Sequence, residues 1–337
     1  MGKMIKICIL AAVLVLLAGC NSDSPSGYAG PKEVSRRSAW IVYWDLETGD
    51  RDLKKMERSL EKLSWFAAYF DSKDQLFIPP EMTERQKQFN KGRTEIYLTL
   101  VNDRKNPDGS VAIKDLDVLR RVLADDTSRD RHIGEIVRLA LEGGYDGIEL
   151  DYEKIWKDET LGLSFTSFAN QLFVQTLKNN LKIRIILEPN APFDSPYFVK
   201  GPEYVVMLYN LYGLHSGPGP KADRAFIEKT IKRMKSLPGE KAVAIATGGV
   251  DWAESGTKKM LTEMEAKSLA VTNGAQVSRD KDSQCLVFSY QEGGVWHKVW
   301  YADVNTLNFW IALAQEQGES RINLWRLGGN IDIQLIK

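Results

Sequence analysis

The chain has 337 residues, in which 45 Lys and Arg are balanced by 45 Asp and Glu, and only three cysteines. With 43% hydrophobic and 10% aromatic residues it can bury a large core, which rules out global disorder. The neutral balance argues against a nucleic-acid binder, which needs a basic excess, and three cysteines cannot make a disulfide framework.

Lys3 and Lys6 precede an apolar run from Ile7 to Ala18, too short to span a bilayer comfortably and flanked like a signal peptide. The run ends in Leu17-Ala18-Gly19-Cys20, followed by the polar stretch Asn21 to Pro31. This resembles the bacterial lipoprotein signal, which implies loss of residues 1–19 and a lipid on the Cys20 sulfur. An ordinary secretory peptide with a chance cysteine is the alternative. Cys8 would leave with the signal, so Cys285 would remain as a lone thiol. Residues 20–37 read as a flexible tether. The expectation is a monomeric, extracytoplasmic protein held at a membrane through Cys20.

From Ser38 onward, short apolar runs alternate with amphipathic stretches. Candidate strands are Ala39–Trp44, Trp65–Phe70, Glu95–Val101, Tyr145–Asp151, Lys182–Glu188, Tyr204–Tyr209, Ala242–Thr247 and Arg321–Leu327. Apolar residues at spacings of three and four mark helices over Leu53–Leu63, Leu116–Leu123, Ile133–Leu141, Phe165–Leu177, Ala225–Met234 and Thr306–Gln315. Eight strands, mostly followed by helices, point to an α/β fold, a single (β/α)8 TIM barrel over 38–337. A doubly wound open sheet is the competing architecture. Residues 275–302 break the alternation with two strand-like runs around Gly293-Gly294, a β-hairpin inserted before the last helix.

The sharpest feature is Asp146-Gly147-Ile148-Glu149-Leu150-Asp151-Tyr152-Glu153. Side chains alternate along a strand, so Glu149, Asp151 and Glu153 share one face, about 6.5 Å per step of two. Ile148, Leu150 and Tyr152 face the other way, toward the helices. Acids on the inner face of a barrel strand are costly to desolvate, and stability does not call for them. At the C-terminal end of such a strand they read as catalytic. Crowded carboxylates hold at least one proton near neutrality, which supplies a general acid. A solvated acidic face on an antiparallel strand is the bland alternative. Mg²⁺ or Ca²⁺ binding is another, whereas three histidines without a spaced pair make zinc improbable. The expectation is no metal and no cofactor.

The motif DGIELDYE resembles the DGxDxDxE signature of glycoside hydrolase family 18, the chitinases and endo-β-N-acetylglucosaminidases. Met207-Leu208-Tyr209-Asn210 lies where that family carries Met-x-Tyr-Asp on its sixth strand. Trp325-Arg326-Leu327-Gly328 closes the last strand, where the family places a Trp under the bound sugar. DYEKIW, VWYADVNTLNFWIAL and INLWRLGG resemble the spore-cortex and cell-wall branch. The resemblance covers essentially residues 38–337.

It implies a β-1,4-linked N-acetylglucosaminide substrate, peptidoglycan or a chitin-type glycan, cleaved with retention and with help from the substrate. Glu153 is then the acid and later the base, and the substrate's acetamido carbonyl is the nucleophile. Asp151 orients the acetamido nitrogen and Tyr209 donates to its oxygen. Asp146, Glu149, Trp44, Met207, Asn210 and Trp325 are the expected sugar contacts. Two departures stand out: Glu149 replaces an Asp, and Asn210 replaces the Asp after the tyrosine. The alternative is a sugar-binding barrel without turnover, for which Asn210 speaks and the retained Glu153, Asp151 and Tyr209 speak against.

Of the nine Trp residues, Trp65 and Trp310 read as core and Trp252 as undecided. Trp296 and Trp300 could pack one face of the hairpin. The loop Tyr212–Pro220 is flexible enough to meet substrate, His132 reads as solvated, and Cys285 reads as structural.

Overall fold

The computed structural model describes residues 36–56 and 59–337. The expected leader, residues 1–19, and the expected lipidation site Cys20 lie outside the described residues. Eight parallel strands close on themselves: β1 (Arg36–Val42), β2 (Leu60–Phe70), β3 (Glu95–Lys105), β4 (Gly147–Asp151), β5 (Lys182–Leu187), β6 (Glu203–Met207), β7 (Lys241–Ala246) and β8 (Arg321–Trp325). Each pairs with the next, and Ala39 of β1 meets Leu324 of β8 to complete the ring. The (β/α)8 expectation is borne out.

Helices α1 (Leu46–Met56), α2 (Pro80–Lys87), α3 (Leu116–Val122), α4 (Asp126–Glu142), α5 (Glu159–Lys178), α6 (Arg224–Met234), α7 (Glu263–Thr272) and α8 (Val304–Glu316) occupy the connections. Aspartates cap five of them. Asp115, Asp125, Asp158, Asp223 and Asp303 each accept backbone N–H groups of the first turn, worth about 1 kcal/mol apiece. The core has two shells. Ile148, Leu150 and Tyr152 point outward into the layer under the helices, while Trp40, Val42, Phe66, Met207 and Tyr209 fill the barrel interior.

Two boundaries differ from the sequence expectation. Leu60 and Leu63 belong to β2, and the first helix runs over Leu46–Met56 instead of Leu53–Leu63. The spacing of Leu53, Met56, Leu60 and Leu63 fits a helix but crosses from one element into the next. The inserted hairpin is present, as Leu286–Glu292 and Val295–Ala302, but it is part of a larger antiparallel sheet. That sheet begins at Gly248, directly after β7, and adds Gly248–Ala253, Lys258–Leu261 and Ser278–Arg279. Gly248 sits at φ 63°, where a Cβ would strike the Leu261 carbonyl, so the chain can turn out of the barrel there. Helix α7 covers one face of the sheet through Ala266 and Ala270, against Phe288, Tyr290, Val299 and Tyr301.

Candidate active site

The acidic strand separates its carboxylates by depth. Asp146 precedes β4 at the N-terminal end of the barrel, where it accepts from Lys91 Nζ at 2.8 Å and from the Ile96 N–H at 2.8 Å. It therefore ties β3 to β4 at the end remote from the site, and its expected sugar contact is corrected to a structural one. Gly147 follows because a Cβ there would run into the Tyr97 ring. Glu149, 0% exposed, lies in the middle of the barrel. It accepts from Trp40 Nε1 and Ser64 Oγ at 2.7 Å, Thr99 Oγ1 at 2.8 Å and Arg184 Nη1 at 2.5 Å. Those four donors occupy both oxygens, so Glu149 too is corrected from sugar contact to internal brace. The extra methylene that distinguishes it from Asp lets it reach donors on four other strands.

Asp151 and Glu153 line a cavity of about 260 Å³ at the C-terminal mouth of the barrel. Tyr209, Met207, Asn210, Trp325, Trp44 and Phe66 line it as well. Every residue expected as catalytic is thus gathered there, with four of the six expected sugar contacts. Asp151 Oδ1 is buried and has no hydrogen-bond partner among the described residues. Asp151 Oδ1 is thus an acceptor without a donor, in a residue that lines the cavity. Burial, then the Glu153 charge, pushes the Asp151 carboxyl well above its ordinary value, with Lys114 opposing. Glu153 is also raised, by burial first, with Lys114 again opposing and Glu188 and Asp103 adding to the rise. Tyr209 is held well above the usual phenol value by burial and by these carboxylates, so its hydroxyl stays a donor.

Trp325 forms the hydrophobic side of the cavity. Its ring sits 4.7 Å from Phe66 and 6.0 Å from Trp40, both edge-on, which fixes its plane. Trp44 is half exposed at the rim and meets Phe66 edge-on at 5.8 Å. Asn210 takes φ 68°, a left-handed conformation that Asn adopts more readily than most side chains.

Three polar cavity residues were not singled out by sequence: Asn102, Asp103 and Lys114. The Asn102 amide clamps the Glu153 backbone, accepting its N–H at 2.9 Å and donating to its carbonyl at 3.2 Å. Asp103 Oδ1 accepts the Lys114 N–H at 2.7 Å. Lys114 Nζ is hydrogen-bonded to Glu153 Oε2. Burial weakens the Lys114 cation, but the Glu153 charge and this bond outweigh it, so its pKa is raised. None of the three belongs to a local motif, because each comes from β3 or the loop after it.

The weaker signals resolve unevenly. Trp65 and Trp310 are fully buried. Trp252 is buried and donates to the Gly213 and Ser216 carbonyls, anchoring the loop after β6. Trp296 is half exposed, whereas Trp300 packs against the main core. His132 is corrected from solvated to buried: its Nε2 lies 2.8 Å from Tyr152 Oη. Cys285 is buried, and burial pushes its thiol up to about 12. Among the described residues, no group of three or more His, Cys, Asp or Glu is placed to hold a metal ion.

No protein-family profile matches the chain. It is 24% identical over 230 residues to the uncharacterized glycosylase YvbX of Bacillus subtilis, covering 64% of this chain and 66% of that protein. The putative sporulation-specific glycosylase YdhD of the same organism is 25% identical over 229 residues, 63% of this chain and 54% of YdhD. The chain thus spans less than two thirds of the length of these two relatives. The cortical fragment-lytic enzyme of Bacillus anthracis is 21% identical over 322 residues, 88% of this chain and 73% of the enzyme. Among solved structures, the Bacillus cereus spore cortex-lytic enzyme SleL superposes with a TM-score of 0.75 at 20% identity, over 90% of this chain and 73% of SleL. The chitinase of Chromobacterium violaceum gives 0.76 at 17% identity, over 89% and 96%. These superpositions establish the barrel fold. The named relatives are in line with the expected glycoside hydrolase.

Proposed function

We propose that the chain is a glycoside hydrolase of the family 18 type, cleaving β-1,4-linked N-acetylglucosaminides with retention. The observation that carries this reading is the unsatisfied Asp151 Oδ1, in a residue that lines one cavity with Glu153, Tyr209 and Trp325. An acetamido sugar on Trp325 offers an N–H to Asp151 and a carbonyl oxygen to Tyr209. Both contacts turn that carbonyl toward the anomeric carbon. Glu153 protonates the glycosidic oxygen as the carbonyl attacks, forming a cyclic oxazolinium and releasing the leaving sugar. Glu153, now a carboxylate, takes a proton from water as the water attacks the same carbon. Two inversions restore the original configuration.

Peptidoglycan is the preferred polymer on this reading, supported by relatives named as cortex-lytic enzymes and by the lipoprotein-like leader ending at Cys20. The leader would place the barrel outside the cytoplasm, tethered to a membrane. Incubating the full-length protein in detergent with chitooligosaccharides and with peptidoglycan, beside Glu153→Gln, tests the reaction. New reducing ends on N-acetylglucosamine from the wild type alone support it. Reducing ends on N-acetylmuramic acid sink the assignment for peptidoglycan, and binding without products supports a lectin instead.

A further inference from the structure

Lys114 is held where it is by its backbone. It adopts φ 56°, its N–H donates to Asp103 Oδ1, and the next residue caps α3 while its own N–H donates to the Asn102 carbonyl at 2.8 Å. The side chain is directed to the cavity mouth, about a quarter exposed, and paired with Glu153. A cation bonded to the acid opposes catalysis, because it favours the ionised form of a group that must deliver a proton. The loop does not need it for stability either, since the Asp115 cap and the Arg104–Asp115 pair at 2.8 Å already fix this turn.

The position of Lys114 indicates which part of a substrate it meets. It follows β3, which lies across the ring from the β6–β8 side that carries Tyr209 and Trp325, with the strand of Glu153 next to it. If Trp325 and Tyr209 hold the sugar that is attacked, the sugar that departs lies on the Lys114 side of the acid.

Resting on the glycosidase reading above, we propose that Lys114 is a specificity-determining residue that binds a carboxylate carried by the leaving sugar, and gives up Glu153 to do so. In a β-1,4 wall glycan that group is the 3-O-lactyl carboxylate of N-acetylmuramic acid where no peptide is attached. Chitin has no such group. When the substrate carboxylate takes the lysine, Glu153 takes a proton from water and becomes the acid, so recognition and protonation are one event. The other groups facing Glu153 are Asp151 on β4, Asp103 on β3, Glu188 after β5 and Tyr209 after β6, while Lys105 and Lys154 act on Asp103 and the deeper Glu149 on Asp151. Among the described residues Lys114 is the cation hydrogen-bonded to the acid, whereas Lys105 is engaged with the Tyr43 hydroxyl at 2.6 Å.

Three tetrasaccharides test this on the full-length protein in detergent: alternating N-acetylglucosamine and N-acetylmuramic acid with free lactyl carboxylates, the same with those carboxyls as methylamides, and chitotetraose. Wild type should turn over the free acid at a kcat/KM about tenfold above the methylamide. Lys114→Gln should bring that ratio close to one, and Lys114→Arg should restore most of it. On chitotetraose, Lys114→Gln should also move the alkaline limb of kcat/KM to higher pH, because Glu153 then keeps its proton longer. A wild type that cleaves all three equally, or a ratio and pH limb untouched by Lys114→Gln, overturns the assignment of Lys114 alone. A wild type that cleaves none of them overturns the glycosidase reading itself.

Discussion

Glu149 and Arg184 meet inside the barrel with side chains 0% and 1% exposed, 2.5 Å apart. The pair is extended by Glu203, 3.0 Å from Arg184 Nε, and by Lys62, 2.6 Å from Glu203. It links β2, β4, β5 and β6 below the cavity. Removing one partner of a buried pair costs about 3–5 kcal/mol when the other charge is left alone, and because Glu203 still faces Arg184 the lower end of that range, about 3 kcal/mol, applies here. Glu149→Gln is therefore expected to lose that much in denaturant unfolding, with KM for an oligosaccharide unchanged. A rise in KM at wild-type stability would return Glu149 to the sugar site.

Tyr209 is expected to act on the reaction and not on the fold. Tyr209→Phe keeps the ring in the barrel core and removes one hydrogen-bond donor. The expected loss is about 10²-fold in kcat, the usual effect of deleting a single donor to developing charge. Thermal melting should stay at the wild-type value. A fall in stability with kcat preserved would make the hydroxyl a packing feature.

Trp325 combines two jobs, so two substitutions separate them. Trp325→Ala removes the sugar face and its edge contacts with Trp40 and Phe66. Trp325→Phe keeps an aromatic face of smaller area. We expect about a tenfold or greater loss of kcat/KM for Ala and a smaller one for Phe, read with chitooligosaccharides. Equal losses for the two would argue against stacking.

His132 gives the fold an acid sensitivity away from the site. Burial lowers its pKa from 6.5 to about 3. Below pH 6.5 the unfolded chain binds a proton that the folded chain refuses, so stability from this group falls as pH drops from 6.5 toward 3. His132→Gln should flatten that part of the curve of unfolding free energy against pH. An unchanged slope would show that His132 is protonated in the folded protein.

The barrel was legible because alternation of apolar strands and amphipathic helices is a chain-wide signal. Asp151, Glu153, Tyr209 and Trp325 were legible because each sits in a short motif at a strand end. Asp146 and Glu149 misled for the same reason: a motif gives the order of residues along a strand but not their depth in the barrel. Depth depends on donors such as Trp40, Ser64, Thr99 and Arg184, which lie far away in sequence. Lys114 and Asn102 left no local pattern at all. The extra sheet was read as one hairpin because Gly248–Ala253 follows β7 without a turn signal strong enough to separate them.

Gly248 and Ala302 are direct strand partners, so the inserted sheet leaves and rejoins the chain at a single point. Meanwhile β7 and β8 pair with each other as if nothing lay between them, Val243 against Ile322 and Ala246 against Trp325. The segment is therefore a side branch of the chain and not one of its links. Shortening, lengthening or replacing it changes what surrounds the barrel while the spacing of Asp151, Glu153 and Tyr209 stays as the closed ring sets it.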